Sequence, residues 1–264
     1  MNRLLPGIAL AFCWLLLLLK GSIALFAMVL LVGLSIGAYE YAKMALFSEC
    51  LLQPFFFAIL VLLPLLSVFF VPQLGIGGGI FCAFLLFAFW TLATYREGFD
   101  SYAFFCRCGL GLLWVGFLGT HLMLLRELPQ GNAWLLILTG ITAGSDSGAY
   151  YCGRAFGRHK LSPLISPNKT VEGAMGGVVT GIIVAAILAT LLLPVVPWGF
   201  LVVVAFVLTV VGICGDLVES VIKRATGTKD SGAILGGHGG ILDRADSILF
   251  AAPIIYYSLL LLPG

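Results

Sequence analysis

Charged side chains are scarce in this sequence. Only 10% of its 264 residues are Asp, Glu, Lys or Arg, whereas a soluble domain usually has about 25%. Hydrophobic residues make up 61% of the chain, and apolar runs long enough to cross a bilayer recur from one end to the other. The composition therefore excludes a water-soluble globular domain and predicts an integral α-helical membrane protein.

Paired cysteines of the kind that bind zinc are absent. None of the seven cysteines forms a C-x-x-C pair, and the C-x-C of Cys106 and Cys108 has no second half elsewhere. Most of the cysteines lie in apolar runs, where they serve as small hydrophobic residues. We therefore expect neither a zinc site nor a structural disulfide.

The apolar runs predict the fold class. We expect an all-α, polytopic transmembrane helical bundle of about nine spans, several of them shorter than an ordinary transmembrane helix. The predicted spans cover residues 4–19, 22–39, 54–71, 76–95, 108–125, 133–152, 174–193, 198–217 and 246–262.

Lysine and arginine are distributed unevenly over the connections between these spans. With the N-terminus in the cytoplasm, every Lys and Arg except Lys20 and Arg126 lies on the cytoplasmic side. Such a bias follows the positive-inside rule. We therefore expect the N-terminus inside and the C-terminus outside.

Two cytoplasmic connections, residues 153–173 and 217–245, are rich in Gly, Ser and basic residues. Both belong to the second half of the chain. We therefore treat the protein as one integrated domain in two parts. We expect residues 1–130 to form N-terminal spans that serve as a scaffold, dimer surface or lipid-facing part, and residues 131–264 to form the part that carries the functional site.

Acidic residues cluster where two of the later spans meet the cytoplasmic face. Asp216 ends one span and Asp243 opens the next; Glu219 and Asp246 each follow three residues later, which places each pair on one helix face. Ionisable residues beside apolar spans are costly and are functional candidates. Converging carboxylates require a cation between them, and hard oxygen ligands favour Mg²⁺. The alternative is that these acids pair with nearby Lys and Arg as interfacial charges.

The segment between the acids carries cations and glycines. Lys223, Arg224 and Lys229 supply positive charge, and the glycines within residues 236–240 let backbone N–H groups approach an anion. Asp243 lies near the start of the last helix, where the helix dipole also favours phosphate. Cations, glycines and metal-binding acids are the parts needed for phosphoryl or nucleotidyl transfer.

The segment Ser220–Asp246 resembles the signature of the phosphatidate cytidylyltransferase family, also called CDP-diacylglycerol synthases. That signature runs Ser-x-x-Lys-Arg, four residues, Lys-Asp-x-Gly, then His-Gly-Gly, then Asp-Arg-x-Asp, and every fixed position is present. Ala245 replaces a larger apolar residue and Gly236 replaces a common Pro, and neither change removes a polar group.

The upstream connection resembles the same family. The run Asp146-Ser-Gly-Ala-Tyr is followed by Gly153-Arg154 and then by Ser166-Pro-x-Lys-Thr-x-Glu-Gly, which ends at Gly173. Val171 replaces a frequent Trp, a change of packing rather than of chemistry. The two matches cover the C-terminal half, and residues 1–130 match only as apolar spans.

The resemblance implies a CTP:phosphatidate cytidylyltransferase, which makes CDP-diacylglycerol and pyrophosphate for phospholipid biosynthesis with Mg²⁺. The expected partners are CTP, phosphatidic acid and membrane lipids, without nucleic acid, and the family suggests a homodimer. A bacterial-type inner (cytoplasmic) membrane, with the active site on the cytoplasmic side, is the expected location.

The expected roles follow from the matched positions. The predicted metal ligands are Asp216, Asp243 and Asp246. The same three acids, with Lys223, Arg224, Lys229 and His238, are the predicted catalytic residues. Substrate binding is assigned to Asp146, Ser166, Lys169, Thr170, Glu172, Ser220, Gly239, Gly240 and Arg244.

Simpler roles remain open for several of these residues. Thr170 and Glu172 suit the first turn of a helix, and Asp246 could anchor Arg244. Asp146 could bind Ser and Tyr groups within the bundle. His238 could be a turn residue.

Two other functions also remain open. One is a related membrane enzyme, such as a CTP-dependent polyprenol kinase or a synthase for an ether lipid. The other is a transporter or channel, because intramembrane acids also mark ion paths. The clustering of the acids at one membrane face, beside a glycine-rich basic segment, favours the enzyme.

Overall fold

The computed structural model describes residues 4–46, 52–232 and 239–262, and these residues are almost entirely helical. The all-α prediction is confirmed. The helices are α1 Leu4–Lys20, α2 Ile23–Ala45, α3 Leu52–Val61, α4 Leu63–Phe70, α5 Gly75–Ala93, α6 Ser101–Gly111, α7 Leu118–Glu127, α8 Gly131–Phe156, α9 Val171–Leu192, α10 Trp198–Ala225 and α11 Leu242–Leu260. A π-helical segment, Leu112–Phe117, joins α6 to α7.

Five helices in the described ranges are long and apolar enough to cross a membrane, or six if the bent pair α3–α4 counts as one span. The bend is 43°, and Pro64 at the start of α4 explains it, because its ring cannot continue a regular helix. Both α8 and α11 are long, but polar residues interrupt their apolar sequences. The count of nine spans and the membrane orientation stay predictions.

Buried aromatic rings join the N-terminal helices to the second half of the chain. The ring of Tyr41 on α2 stacks on Phe57 of α3 and lies edge-on to Trp114. Trp114 in turn contacts Phe250 of α11, with 6.3 Å between ring centroids. The Tyr41 hydroxyl donates a hydrogen bond to the Arg107 carbonyl at 2.8 Å. These contacts hold the end of α2 against the helices that build the site.

Helices α8 and α9 pack with almost no space between their backbones. A side chain on Gly148 would overlap Thr180, and one on Gly176 would overlap Cys152. The Thr180 hydroxyl donates to the Gly144 carbonyl across the interface at 3.0 Å. The glycines therefore allow the close contact of the two helices that flank the connection of residues 157–170.

The first connection forms a short hairpin, which the all-helical prediction did not contain. Strands β1 (Lys160–Ser162) and β2 (Ser166–Thr170) pair antiparallel, with Lys160 opposite Thr170 and Ser162 opposite Ser166. The hydroxyl of Thr170 then accepts the N–H of Gly173 at 3.1 Å and caps α9, because a helix start leaves N–H groups without partners.

The second connection is shorter than predicted. Helix α10 continues through Ala225, so Ser220, Lys223 and Arg224 lie on a helix and not in a loop. Basic residues in its last turn interact favourably with the negative end of the helix dipole, which supports this extension beyond the apolar run. The Ser247 hydroxyl of α11 donates to the Gly212 carbonyl of α10 at 3.1 Å and fixes the two helices side by side.

Candidate active site

Three carboxylates meet where α10 and α11 pack together. Asp216 and Glu219 lie one turn apart on α10, and Asp246 lies in the second turn of α11. One carboxylate oxygen from each residue lies within 4.8 Å of the others. We call these three residues the acidic cluster.

The acidic cluster has the donor set of a divalent-cation site. Glu219 and Asp246 are 1% and 6% exposed, so their charges are poorly screened by water. Within the part of the chain that the structure describes, the buried Oε1 atom of Glu219 has no hydrogen-bond partner. A buried oxygen without a donor is costly, and a hard cation among three carboxylates would satisfy it. The residues therefore fit a metal such as Mg²⁺.

Lys223 lies beside this cluster and between two acids. Its ammonium group is 3.2 Å from Glu219 Oε2 and 2.8 Å from Asp243 Oδ1. The lysine is thus placed by both α10 and α11. It offsets negative charge on one side of the acidic cluster.

Asp243 makes the contact with a nearby cation that the charge-pairing alternative expects. Besides Lys223, its carboxylate accepts the backbone N–H of Ser231 at 3.0 Å and that of Gly240 at 2.7 Å. Burial alone would raise the pKa of Asp243, but the hydrogen bonds from Lys223 and from the Gly240 N–H outweigh it and lower the pKa to about 2. Asp243 is not among the three clustered acids, and metal coordination by it stays a prediction.

Gly239 lies close to Asp243 and has a φ of +78°. A side chain at this position would overlap the Asp243 carboxylate. Glycine is therefore needed at position 239 both for the left-handed backbone and for the close approach.

A pocket of about 490 Å³ opens beside the acidic cluster. It is enclosed by α8, the hairpin, α9 and α10, and Asp216 belongs to both the pocket wall and the cluster. The Lys169 ammonium lies 2.5 Å from Asp216, so a cation also faces the pocket. The lining residues are Asp146, Ala149, Tyr150, Gly153, Arg154, Leu161, Asn168, Lys169, Thr170, Gly173, Ala174, Ile213 and Asp216.

Several predicted substrate-binding residues lie at this pocket. Asp146, Lys169 and Thr170 line it. Arg244 is exposed on α11 and lies close enough to Asp146 for a charge–charge interaction. The structure thus brings residues from the two predicted segments together, although they are far apart in the sequence.

Glu172 instead has local contacts. Its carboxylate lies 2.6 Å from His159 Nδ1 and accepts the backbone N–H groups of Arg158 and His159. These contacts fix the entry to the hairpin. With the capping role of Thr170, they match the helix-start alternative, and substrate binding by both residues stays a prediction.

The remaining predicted residues belong neither to the pocket lining nor to the acidic cluster, as far as the structure describes them. Ser166 begins β2, Ser220 is half-buried on α10, and Arg224 and Lys229 are exposed. Gly239 and Gly240 precede α11 beside Asp243. His238 lies outside the described residues.

Sequence reasoning missed two residues of this region. Glu219 was noticed for its spacing from Asp216 but was not assigned as a ligand. Glu40, on α2, was not considered, and it is 2% exposed and accepts the N–H groups of Ile241 and Leu242. An acid within an otherwise apolar run was the signal that could have revealed it.

Known proteins resemble the whole chain. The model of the cytidylyltransferase family matches residues 1–262. The chain is 34% identical over 267 residues to the phosphatidate cytidylyltransferase of Bacillus subtilis (strain 168), covering 98% of this chain and 97% of that protein. It is 35% identical over 257 residues to the phosphatidate cytidylyltransferase of Staphylococcus epidermidis (strain ATCC 12228 / FDA PCI 1200), covering 96% of each.

A shorter alignment of 147 residues joins the chain to the phosphatidate cytidylyltransferase of Brucella suis biovar 1 (strain 1330). It is 42% identical and covers 55% of this chain and 54% of that protein. The resemblance in the two signature segments is confirmed by the match over nearly the full length. This chain belongs to the cytidylyltransferase family.

Proposed function

We propose that the protein is a CTP:phosphatidate cytidylyltransferase that makes CDP-diacylglycerol and pyrophosphate from CTP and phosphatidic acid. The observation that carries this proposal is the acidic cluster of Asp216, Glu219 and Asp246, which lies between Lys169 and Lys223 at the edge of a pocket. Family membership and the names of the relatives agree with this chemistry.

The acidic cluster would hold Mg²⁺. Bound there, the ion would neutralise triphosphate charge and stabilise the charge that develops during transfer. Asp216 is the most exposed of the three acids, so it would face the nucleotide. Glu219 and Asp246 would hold the ion from the buried side. The family signature also makes Asp243 a proposed metal ligand. Because its carboxylate contacts the Lys223 ammonium, Asp243 would in addition orient Lys223.

The reaction needs neutralisation of charge more than proton transfer. A phosphate oxygen of phosphatidic acid forms a bond to the α-phosphorus of CTP, and the bond from that phosphorus to the bridging oxygen breaks. Pyrophosphate leaves with the electron pair. Because donor and acceptor are both anions, the protein must bring them together against their repulsion.

The cationic side chains would do this from two sides. Lys169 reaches the pocket from β2, and Lys223 reaches the acidic cluster from α10. Arg224, Lys229, His238 and Arg244 are proposed to bind further phosphate oxygens, and Asp146, Ser166, Thr170, Glu172, Ser220, Gly239 and Gly240 to complete the substrate sites.

Membrane placement is part of the same proposal. We place the site at the cytoplasmic face of an inner membrane, in a bundle of about nine spans with the N-terminus inside. The distribution of Lys and Arg supports this orientation, and phosphatidic acid would then reach the site from the inner leaflet. The family resemblance also suggests a homodimer. Light scattering of the purified protein would measure its mass.

An activity assay with defined substrates tests the proposed function. Purified protein in lipid nanodiscs is given Mg²⁺, phosphatidic acid and CTP labelled in both the cytidine and the γ-phosphate, with a polyprenol as the competing acceptor. We expect labelled CDP-diacylglycerol and pyrophosphate in equal amounts, and no product when a chelator removes divalent cations. Labelled product from the polyprenol alone would reject the proposal.

A labelling experiment tests the proposed topology. Single cysteines are introduced at Arg158 and Lys229, both exposed, in a background without native cysteines, and are probed with a membrane-impermeant thiol reagent. We expect both to react from the cytoplasmic side. Labelling from opposite sides would defeat the proposed arrangement of the site.

A further inference from the structure

Glu40 is a buried carboxylate that connects α2 to the start of α11. It is 2% exposed. Its Oε1 atom accepts the N–H of Ile241 at 3.2 Å and its Oε2 atom accepts that of Leu242 at 3.0 Å. The Ser231 hydroxyl is a third donor, at 3.4 Å. An acid from the N-terminal half thus contacts the segment that leads into the site.

Ser231 is shared between Glu40 and Asp243. Its hydroxyl contacts Glu40, and its backbone N–H donates to the Asp243 carboxylate. Asp243 also accepts the N–H of Gly240. Two carboxylates from distant parts of the chain therefore hold Ser231 and Gly240, which lie on either side of residues 233–238.

The approach of Glu40 depends on two glycines. A Cβ atom on Gly232 or on Gly240 would overlap the Glu40 carboxylate. Glycine at both positions lets the backbone lie directly against the acid. The contact therefore depends on three elements: the side chain of α2 and the backbone on both sides of the connection.

We propose that Glu40 is a positioning residue for cytidylyl transfer, an inference that rests on the proposed function. The first N–H groups of a helix lack partners within that helix, and a carboxylate is favourable there because of the helix dipole. By accepting the N–H groups of Ile241 and Leu242, Glu40 fixes where α11 begins. That start sets the places of Asp243 and Asp246 relative to α10.

The fixed start of α11 matters because transfer is sensitive to geometry. A displacement of about 1 Å in a catalytic group can lower the rate about a hundredfold. Glu40 itself would touch neither substrate nor metal. It would act through the backbone of Gly240, Ile241 and Leu242.

The variant Glu40→Gln tests this role. Glutamine keeps the size of the side chain, but its NH₂ group would face a backbone N–H and cannot accept from it. We expect hydrogen–deuterium exchange of the amides in residues 239–244 to become about tenfold faster. We also expect kcat for CDP-diacylglycerol to fall about tenfold or more, with a KM for CTP within about threefold of the wild-type value.

Three further variants complete the test. Glu127→Gln removes an exposed acid at the end of α7 and should change neither measurement. Glu40→Asp keeps the charge on a shorter side chain and should give intermediate values. Should Glu40→Gln fail to insert, Ser231→Ala, which removes one donor, should give the same local change to a smaller extent.

The two measurements separate the positioning role from the proposed function. Exchange needs no substrate, so a wild type that transfers no cytidylyl group overturns the proposed function. Unchanged local exchange in Glu40→Gln overturns the positioning role. Faster exchange throughout the chain with an unchanged kcat also overturns it, because Glu40 would then act only on overall stability.

Discussion

Lys169 and Asp216 form an ion pair of 2.5 Å that joins β2 to α10. One partner belongs to the hairpin after α8, and the other belongs to the acidic cluster. The pair connects the upstream signature segment to α10, the helix on which the second signature segment begins. It also places a cation at the boundary between the pocket and the clustered acids.

The variant Lys169→Gln should impair catalysis with little loss of stability. Both side chains are partly exposed, at 26% and 37%, and ion pairs of this kind contribute at most about 1 kcal/mol. Loss of a cation at the proposed nucleotide site should nevertheless raise the KM for CTP about tenfold. Steady-state kinetics and thermal unfolding would measure both effects. The exposed Lys160 of the same hairpin offers a control, since Lys160→Gln should leave the KM unchanged.

The variant Glu219→Gln should weaken metal binding. It removes one of three negative charges from the acidic cluster and leaves a neutral oxygen in its place. We expect the Mn²⁺ dissociation constant, measured by electron paramagnetic resonance, to rise about tenfold. The exposed Glu97 provides the matched variant Glu97→Gln, for which no change is expected. Equal Mn²⁺ affinity in the wild type and Glu219→Gln would exclude Glu219 as a ligand.

The variant Lys223→Met should destabilise the fold. The side chains of Glu219 and Asp243 are 1% and 10% exposed, and loss of their shared cation leaves both charges buried. Such a loss costs about 3 kcal/mol. Denaturant unfolding in detergent would measure it.

A double variant provides the control for this effect. Asp243→Asn in the Lys223→Met background removes one of the two unpaired charges. The double variant should therefore be more stable than the sum of the single changes predicts, by about 1 kcal/mol. Strict additivity would contradict an energetic coupling between Lys223 and Asp243.

The variant Gly148→Ala should loosen the contact of α8 with α9. A single added methyl would overlap Thr180, and forcing it into this space costs about 1–3 kcal/mol. Thermal unfolding should show a lower midpoint. Gly33→Ala on α2 is the counterpart, because a Cβ there meets nothing within 4 Å. If the unfolding midpoint fell equally in both variants, overlap at the α8–α9 interface would not be the cause.

The acid positions illustrate how far sequence reasoning reached. The spacing of Asp216 and Asp246 with their neighbours predicted convergence of two helix ends, and these acids do meet. Asp243 has the same three-residue spacing to a neighbouring acid, yet its carboxylate accepts hydrogen bonds from Lys223 and from backbone N–H groups. Asp243 and Asp246 share a helix face, but Asp243 meets Lys223 near the end of α10 and Asp246 meets Asp216 and Glu219 one turn away. The spacing predicts the shared face and does not say which residues of the partner helix each turn meets.

The sequence by itself determined the class of protein and the family. The scarcity of charge and the length of the apolar runs require helices, because backbone polar groups in a bilayer must be satisfied within the segment. The two signature segments identify the chemistry, since they retain its charged residues and glycines. These properties depend on composition and local order alone.

Only the tertiary structure decided how the site is assembled. In the folded chain, Glu219 joins the acidic cluster and Lys169 pairs with Asp216. Glu40 of α2 accepts a hydrogen bond from the backbone at the start of α11. These contacts join residues up to 202 positions apart. They depend on the packing of glycine and aromatic residues between helices, which no local pattern encodes.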